Sequence, residues 1–273
     1  MNDLKQLIEK AYQEDIPTLD VSTEYLFTDE LGTAHLLCKA DGVLSGIAVF
    51  AACLHHVDAS IDFHPLKQDG ELILRGDTLG IAKGKIKSLL QAERVALNFI
   101  QRMSGIASLT HQFVNATSGT STHIYDTRKT TPGLRMLEKQ AVRDGGGRNH
   151  RLNLSEMVML KDNHLKASPT IASAVNTVKA KIPETMKIEV EVDSIAKFQE
   201  ALLTACDIIM LDNMNLADMA TCVALNQHRK VLEASGNMSL KRVPSVAKTG
   251  VDMISVGMLT HSYSSLDISF KIR

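Results

Sequence analysis

From residue 121 onward the chain alternates. Apolar, β-rich runs fall at Thr122–Tyr125, Met157–Leu160, Lys187–Val192, Ile208–Leu211, Lys230–Leu232 and Met253–Val256, and helix-compatible stretches at 169–181, 194–205, 215–228 and 239–249 separate most of them. Strands joined through helices pair in parallel, because each crossover must cover a face of the sheet. The rhythm therefore predicts a parallel sheet, either closed as a barrel or open and doubly wound. The first hundred residues lack it. They predict an amphipathic helix over 2–13, strands near His35–Lys39, Ser60–His64, Leu72–Arg75 and Gly80–Lys87, and a covering helix at Ile47–His56. A long helix from Leu89 to about Asn115, with Leu90, Val95, Leu97, Ile100, Ile106 and Phe113 as core positions, bridges to the second unit. These patterns predict one domain over 1–103 and another over 104–273, with the tail at 262–273 packing back on the first.

The β-runs of the second unit lead into polar or glycine-bearing clusters. Asp126-Thr127-Arg128-Lys129 comes after the first, Lys161-Asp162-Asn163-His164 after the second, Asp212-Asn213 after the fourth, Glu233-Ala234-Ser235-Gly236-Asn237 after the fifth and Gly257 after the sixth. The third run carries Glu189 and Glu191, whose i, i+2 spacing puts both on one face of a strand. In β/α barrels the C-terminal strand ends converge on one rim, where active sites are assembled from several strands. A shared rim site is the expectation here.

That rim is polarised. Between Asp126 and His164 stand eight cations (Arg128, Lys129, Arg135, Lys139, Arg143, Arg148, Arg151, Lys161) against five acids, with His150 and His164 as further donors. Guanidinium and ammonium groups suit carboxylates and phosphates; the alternative is a solvated face. Gly145-Gly146-Gly147 ahead of His150-Arg151 allows close backbone approach to a ligand, yet neither a GxGxxG nor a Walker sequence is present. Ser235-Gly236-Asn237 reads either as a phosphate cradle or as an ordinary helix cap. Glu191 and Asp212 read as holders of sugar hydroxyls or Mg²⁺, as stabilisers of a cationic sugar-like transition state, or as partners of Lys129 and Lys161.

Composition narrows the partners. The chain has 30 Lys+Arg against 31 Asp+Glu, 4% aromatics and no Trp, which disfavours a dedicated nucleic-acid binder. Cys38, Cys53, Cys206 and Cys222 form no CxxC and read as reduced core thiols. The N-terminus has charges at helical spacing rather than a signal peptide's apolar run. The longest apolar stretch, Val43–Leu54, is well short of the roughly 20 residues of a membrane span. A soluble, cytoplasmic protein with no membrane partner is expected.

Asp126–Arg135 (DTRKTTPGLR), Glu138–Val142 (EKQAV), Gly145–Arg151 (GGGRNHR), Leu160–His164 (LKDNH), Glu189-Val190-Glu191, Leu211–Asn213, Leu232–Asn237 (LEASGN) and Gly250–Gly257 (GVDMISVG) together resemble the quinolinate phosphoribosyltransferase family. Upstream, Glu93–Asn98 and Ser104–Ala107 also fit, so the likeness runs through nearly the whole chain in order. It departs from the family at Leu19-Asp20, where Gly-Asp is usual. The resemblance implies an N-terminal α/β sandwich followed by an incomplete parallel β/α barrel of the type II phosphoribosyltransferase kind. It implies that quinolinate and 5-phosphoribosyl-1-pyrophosphate become nicotinate mononucleotide, pyrophosphate and CO₂ in de novo NAD synthesis, with Mg²⁺. Thr127, Arg128, Lys129, His150, Arg151 and Lys161 would then hold quinolinate, with Arg94 reaching in from the partner of a homodimer or larger assembly. Lys129 and Lys161 would also meet phosphate oxygens. Glu191 and Asp212 would face the ribose and the metal, directly or through water, and Ser235, Gly236, Asn237, Val256, Gly257 and Met258 would take the 5′-phosphate end. Lys129, Lys161, Glu191 and Asp212 are the catalytic candidates.

Two carboxylates on a pyridine need several cations, more than a nicotinate site requires. Loss of pyrophosphate develops oxocarbenium character, which carboxylates stabilise, and no covalent nucleophile is needed. The alternatives are a phosphoribosyltransferase acting on nicotinate or another pyridine or azole acid, and a non-catalytic anion-binding paralogue.

Overall fold

The computed structural model of the chain describes residues 2–273. The chain forms two compact units. One comprises residues up to His111 together with Pro132–Gly146 and Tyr263–Arg273; the other comprises Gln112–Thr131 and Gly147–Ser262.

The first unit opens with helices α1 (Asn2–Asp15) and α2 (Val21–Leu26), followed by strands β1 (Leu31–Cys38) and β2 (Gly42–Val43). Helix α3 (Ile47–Val57), strands β3 (Asp62–Pro65), β4 (Leu72–Ile73) and β5 (Thr78–Lys85), and the start of helix α4 (Ile86–Asn115) come next. Helix α5 (Arg135–Asp144) and the C-terminal strand, β12 (Ile268–Ile272), complete it. Its main sheet runs β12-β1-β5-β3, antiparallel throughout, while β2 pairs with β4. Along β1 the side chains of Ala34, Leu36 and Cys38 are buried in alternation, as one covered sheet face requires. Helix α3 covers that face: the Phe50 ring lies 5.4 Å from those of Phe63 and Phe270. At the departure from the family pattern, Asp20 caps α2, accepting from the Ser22 and Thr23 amides at 3.1 Å.

These contact units are discontinuous along the chain. Residues 132–146 belong to the first because buried Glu138 on α5 takes the Arg102 guanidinium of α4, which also lies 5.0 Å over the Tyr263 ring. Gly145 is needed there: a Cβ would stand 2.3 Å from the Ala107 carbonyl oxygen. The glycine run thus serves close packing on α4 at its first position. The tail at 263–273 returns as β12 alongside β1.

The second unit contains β6 (His123–Tyr125), β7 (Val158–Leu160), α6 (Asp162–Lys166), α7 (Ile171–Lys179), β8 (Ile188–Val192), α8 (Ile195–Leu202), β9 (Ile208–Asp212), α9 (Leu216–Asn226), β10 (Val231–Ser235), α10 (Val243–Ala247), β11 (Met253–Ser255) and α11 (Met258–His261). The sheet order is β6-β11-β10-β9-β8-β7, every pair parallel. Several helices start on a side-chain cap: Thr170, Ser194 and Asn215 accept from the amides of Ser173, Lys197 and Asp218. Met159 of edge strand β7 and Asp126, directly after edge strand β6, line one cavity, so the sheet curls into an open barrel. The four cysteines are unpaired and buried. Among the described residues no helix is long and apolar enough to cross a membrane.

Candidate active site

The C-terminal strand ends of the second unit surround a cavity of about 770 Å³. Thr127, Arg128 and Lys129 enter it after β6, and Lys161 after β7. Glu191 comes from β8, Asp212 from the end of β9, Ser235, Gly236 and Asn237 from β10 and its loop, and Gly257 and Met258 from beyond β11. His150 and Arg151 line it from the segment between Gly147 and β7.

Two expected residues are elsewhere. Val256 is fully buried, and its amide donates to the Tyr125 carbonyl at 2.9 Å, tying β11 to β6, so it meets no ligand through its side chain. Arg94 is exposed on α4 and does not line the cavity. The run of cations also divides: Arg128, Lys129, Arg151 and Lys161 line the cavity, whereas Arg135, Lys139 and Arg143 lie on α5 of the first unit. Arg148 instead bridges to Tyr125, its amide donating to the Ile124 carbonyl at 2.8 Å. His164 is local as well, its Nδ1 accepting from the Lys161 amide at 3.0 Å.

At the cavity floor, His150 stands between two fully buried carboxylates. Its Nε2 donates to Glu233 Oε2 at 3.0 Å and lies 3.2 Å from Glu189 Oε2. Both Glu189 oxygens and Glu233 Oε1 are buried with no hydrogen-bond partner. Burial pushes the imidazole pKa down, but the two carboxylates outweigh it and raise it to about 10. Burial, with Glu233 beside it, raises that of Glu189. The Arg151 amide donates to His150 Nδ1 at 2.8 Å, which requires a lone pair there. A neutral imidazole protonated on Nε2, with the second proton on the carboxylate pair, satisfies that contact. It carries the same net charge as an imidazolium between two carboxylates. Asp126 braces the segment from the other side, accepting from the His150 amide at 2.9 Å and the Asn149 side-chain amide at 2.5 Å.

The rim differs. Lys161 is about half exposed, with Nζ 3.9 Å from Glu191 Oε2. Asp212 accepts from Asn213 Nδ2 at 2.8 Å. Arg151 is anchored by its Nη1, which donates to the Met157 carbonyl at 2.9 Å. Burial and the neighbouring Arg128 guanidinium push the Arg151 pKa down, so an anion bridging the two would relieve their repulsion. Loop 127–131 is held by Thr260, whose hydroxyl donates to the Lys129 carbonyl at 2.8 Å.

Asp126, Glu233, Ser255 and His261 line the cavity without having been singled out as ligands from the sequence. Register offered a signal for Glu233, which stands two residues before Ser235 on β10 and so shares its face, as Glu189 does with Glu191 on β8. His261 carries no such signal, because it enters from the short helix after Gly257.

Residues 20–104 match the N-terminal domain of quinolinate phosphoribosyl transferase, and residues 106–271 match its C-terminal domain. The chain belongs to the quinolinate phosphoribosyltransferase family. A probable carboxylating nicotinate-nucleotide pyrophosphorylase of Synechocystis sp. is 42% identical to it over 268 residues, covering 97% of this chain and 91% of that protein. The crystal structure of NadC from Streptococcus pyogenes is 40% identical and superposes with a TM-score of 0.95, over 98% of this chain and 95% of that one. The nicotinate-nucleotide pyrophosphorylase structure from Francisella tularensis, 34% identical, gives a TM-score of 0.97 over 100% of this chain and 96% of its own. Both family domains are thus present in this chain, and the cavity lies in the part matching the C-terminal one.

Proposed function

We propose that the chain transfers the phosphoribosyl group of 5-phosphoribosyl-1-pyrophosphate to quinolinate and removes one ring carboxylate as CO₂, releasing pyrophosphate and nicotinate mononucleotide for de novo NAD synthesis. One observation carries the reading: Arg128, Lys129, His150, Arg151 and Lys161 converge on a single cavity that also holds Glu191 and Asp212. A dianionic aromatic acid suits the Arg128–Arg151 pair, whose charges otherwise oppose each other. Thr127 and His150 complete that pocket.

Lys129 and Lys161 meet phosphate oxygens as point charges. Ser235, Gly236 and Asn237, with Gly257 and Met258, take the 5′-phosphate end. As the C–O bond to pyrophosphate breaks, positive charge grows on the ribose, and Glu191 and Asp212 stabilise it. The pyridine nitrogen supplies the electron pair for the new C–N bond. The C–C bond to the carboxylate then breaks, CO₂ leaves, and the electron pair left on the ring carbon takes a proton within the field of the surrounding cations. Glu191 and Asp212 offer hard carboxylate oxygens, which would hold a Mg²⁺. When bound, that ion neutralises charge on the departing pyrophosphate.

In the same reading Arg94, exposed on α4, reaches the quinolinate pocket of a second copy, and the working unit is a homodimer or a larger assembly built on it. A cytoplasmic setting goes with phosphorylated substrates and four unpaired cysteines.

Purified protein with quinolinate, 5-phosphoribosyl-1-pyrophosphate and Mg²⁺ should consume quinolinate and release CO₂. Turnover of nicotinate with none of quinolinate would sink the reading. For the shared site, mixed Arg94→Ala and Lys161→Ala subunits should recover part of the activity that each lacks alone. Exchange of subunits without recovery would return Arg94 to the surface.

A further inference from the structure

The loops after β9 and β10 touch each other at the cavity rim in an unusual backbone state. Asn213, Gly236 and Asn237 all lie in the left-handed region, at φ of 54°, 92° and 48°. Two of these three are not glycine, so the surrounding structure must hold them in place. The Asn213 amide donates to the Ser235 carbonyl at 3.0 Å, and Asn237 Nδ2 donates to Asn213 Oδ1 at 3.2 Å. The contact is so close that a Cβ on Gly236 would stand 2.2 Å from Asn213 Oδ1.

A residue outside the cavity ties the two loops together. The Arg242 guanidinium donates through Nη1 to the Gly236 carbonyl and through Nη2 to the Met214 carbonyl, each at 2.9 Å. Its own amide donates to the Ser239 carbonyl at 2.9 Å, which anchors the arginine to the far end of the β10 loop. A planar, rigid fork of this kind fixes the distance between its two acceptors, which a flexible ammonium would not. It also orients a peptide group. In a trans peptide the C=O and N–H point in opposite directions. With the Gly236 carbonyl tied to Arg242, the Asn237 N–H is therefore directed away from the guanidinium, and it donates to no backbone carbonyl among the described residues.

We propose that Arg242 is a positioning residue for the phosphorylated substrate: without touching it, the side chain locks the β9 and β10 loops in the conformation that presents the Gly236-Asn237 backbone to the 5′-phosphate. This rests on the proposed function, in which the Ser235–Asn237 loop takes that phosphate. Arg242 does not line the cavity, so its effect passes entirely through the two carbonyls it holds.

The test compares Arg242→Ala, Arg242→Lys and Gly236→Ala in the intact enzyme. Arg242→Ala should raise the KM for 5-phosphoribosyl-1-pyrophosphate about tenfold, with the quinolinate KM unchanged within about twofold. Arg242→Lys, able to hold one carbonyl but not bridge two, should fall between wild type and alanine. Inhibition by ribose 5-phosphate, which carries only the 5′-phosphate, should weaken in parallel in Arg242→Ala, while inhibition by inorganic pyrophosphate should not. If Gly236→Ala leaves both ribose 5-phosphate inhibition and that KM unchanged, the loop does not take the phosphate, and the reading beneath the inference fails. If Gly236→Ala weakens them and neither Arg242 variant does, the phosphate reading stands and Arg242 has no such role. Equal loss for quinolinate and for the sugar phosphate, or a melting temperature that falls in step with activity across the Arg242 variants, would make Arg242 a general structural residue and overturn the proposal.

Discussion

Glu189 and Glu191 sit two residues apart on one strand and point the same way, yet they belong to different chemistries. Glu189 is fully buried, its oxygens lack hydrogen-bond partners, and its neighbours are another buried carboxylate and an imidazole. Glu191 retains 18% of its side-chain exposure and faces the ammonium of Lys161 across 3.9 Å. One step of the strand's period moves a carboxylate about 6.6 Å along the strand, from the dry interior to the wet rim. Identical side chains therefore do different work. The lower one holds protons and shapes the floor under His150; the upper one remains available to substrate.

The contrast breaks most sharply at the floor. Replacing His150 with alanine leaves two buried carboxyl groups, one of them charged, without the hydrogen-bond donor between them, and about 3 kcal/mol of stability should be lost at pH 7. That loss should shrink as the pH falls and the carboxyls protonate. Denaturant unfolding at pH 5 and pH 7 measures both, and a loss that stays the same at the two values would mean that the carboxylates are not what His150 offsets.

The rim should behave in the opposite sense. Lys161→Ala should cost about 100-fold or more in kcat, while its half-exposed ion pair with Glu191 contributes less than about 1 kcal/mol to folding. A large stability loss with intact turnover would invert the distinction between the two layers.

A weaker effect comes from proton linkage. The His150 and Glu189 pKa values are both raised in the folded chain, so the folded state binds more protons than the unfolded one from above the ordinary carboxylate range up to about pH 10. Their contribution to stability is present at the acidic end of that window and is lost as the pH rises through it. Glu189→Gln mimics the protonated form. Its unfolding free energy should therefore decline less steeply than wild type between pH 7 and pH 10, and equal slopes would place the proton elsewhere. The smallest effect belongs to the upper carboxylate: Glu191→Gln should change stability by no more than about 0.5 kcal/mol, with its consequence appearing in turnover instead.

Much of this was legible in the residues. The alternation of β-rich and helical stretches yields the six parallel strands in their order, and the polar endings of those strands become the walls of the cavity. Period-two reasoning put Glu189 and Glu191 on one face, but depth along the barrel is not a property of a strand's period. The cation run misled for a related reason. Arg128 and Arg135 are neighbours in sequence, but the chain leaves the second unit at Pro132 and rejoins it at Gly147. The segment between them, α5, is anchored through Glu138 and Gly145 to α4. Nothing local in those residues announces that long-range packing.

The sequence by itself determined the parallel β/α architecture, the family, and the set of charged side chains from which an anion site could be built. Those depend on periodicity and residue type, which are local. Only the tertiary structure decided which cations share the cavity, that His150 meets Glu233 from eighty-three positions away, and that Arg242, at the end of the β10 loop, ties that loop to the one after β9. Each of these depends on how far the sheet curls and where a side chain ends within it. Such distances arise from the packing of the whole unit and are written in no single segment of the chain.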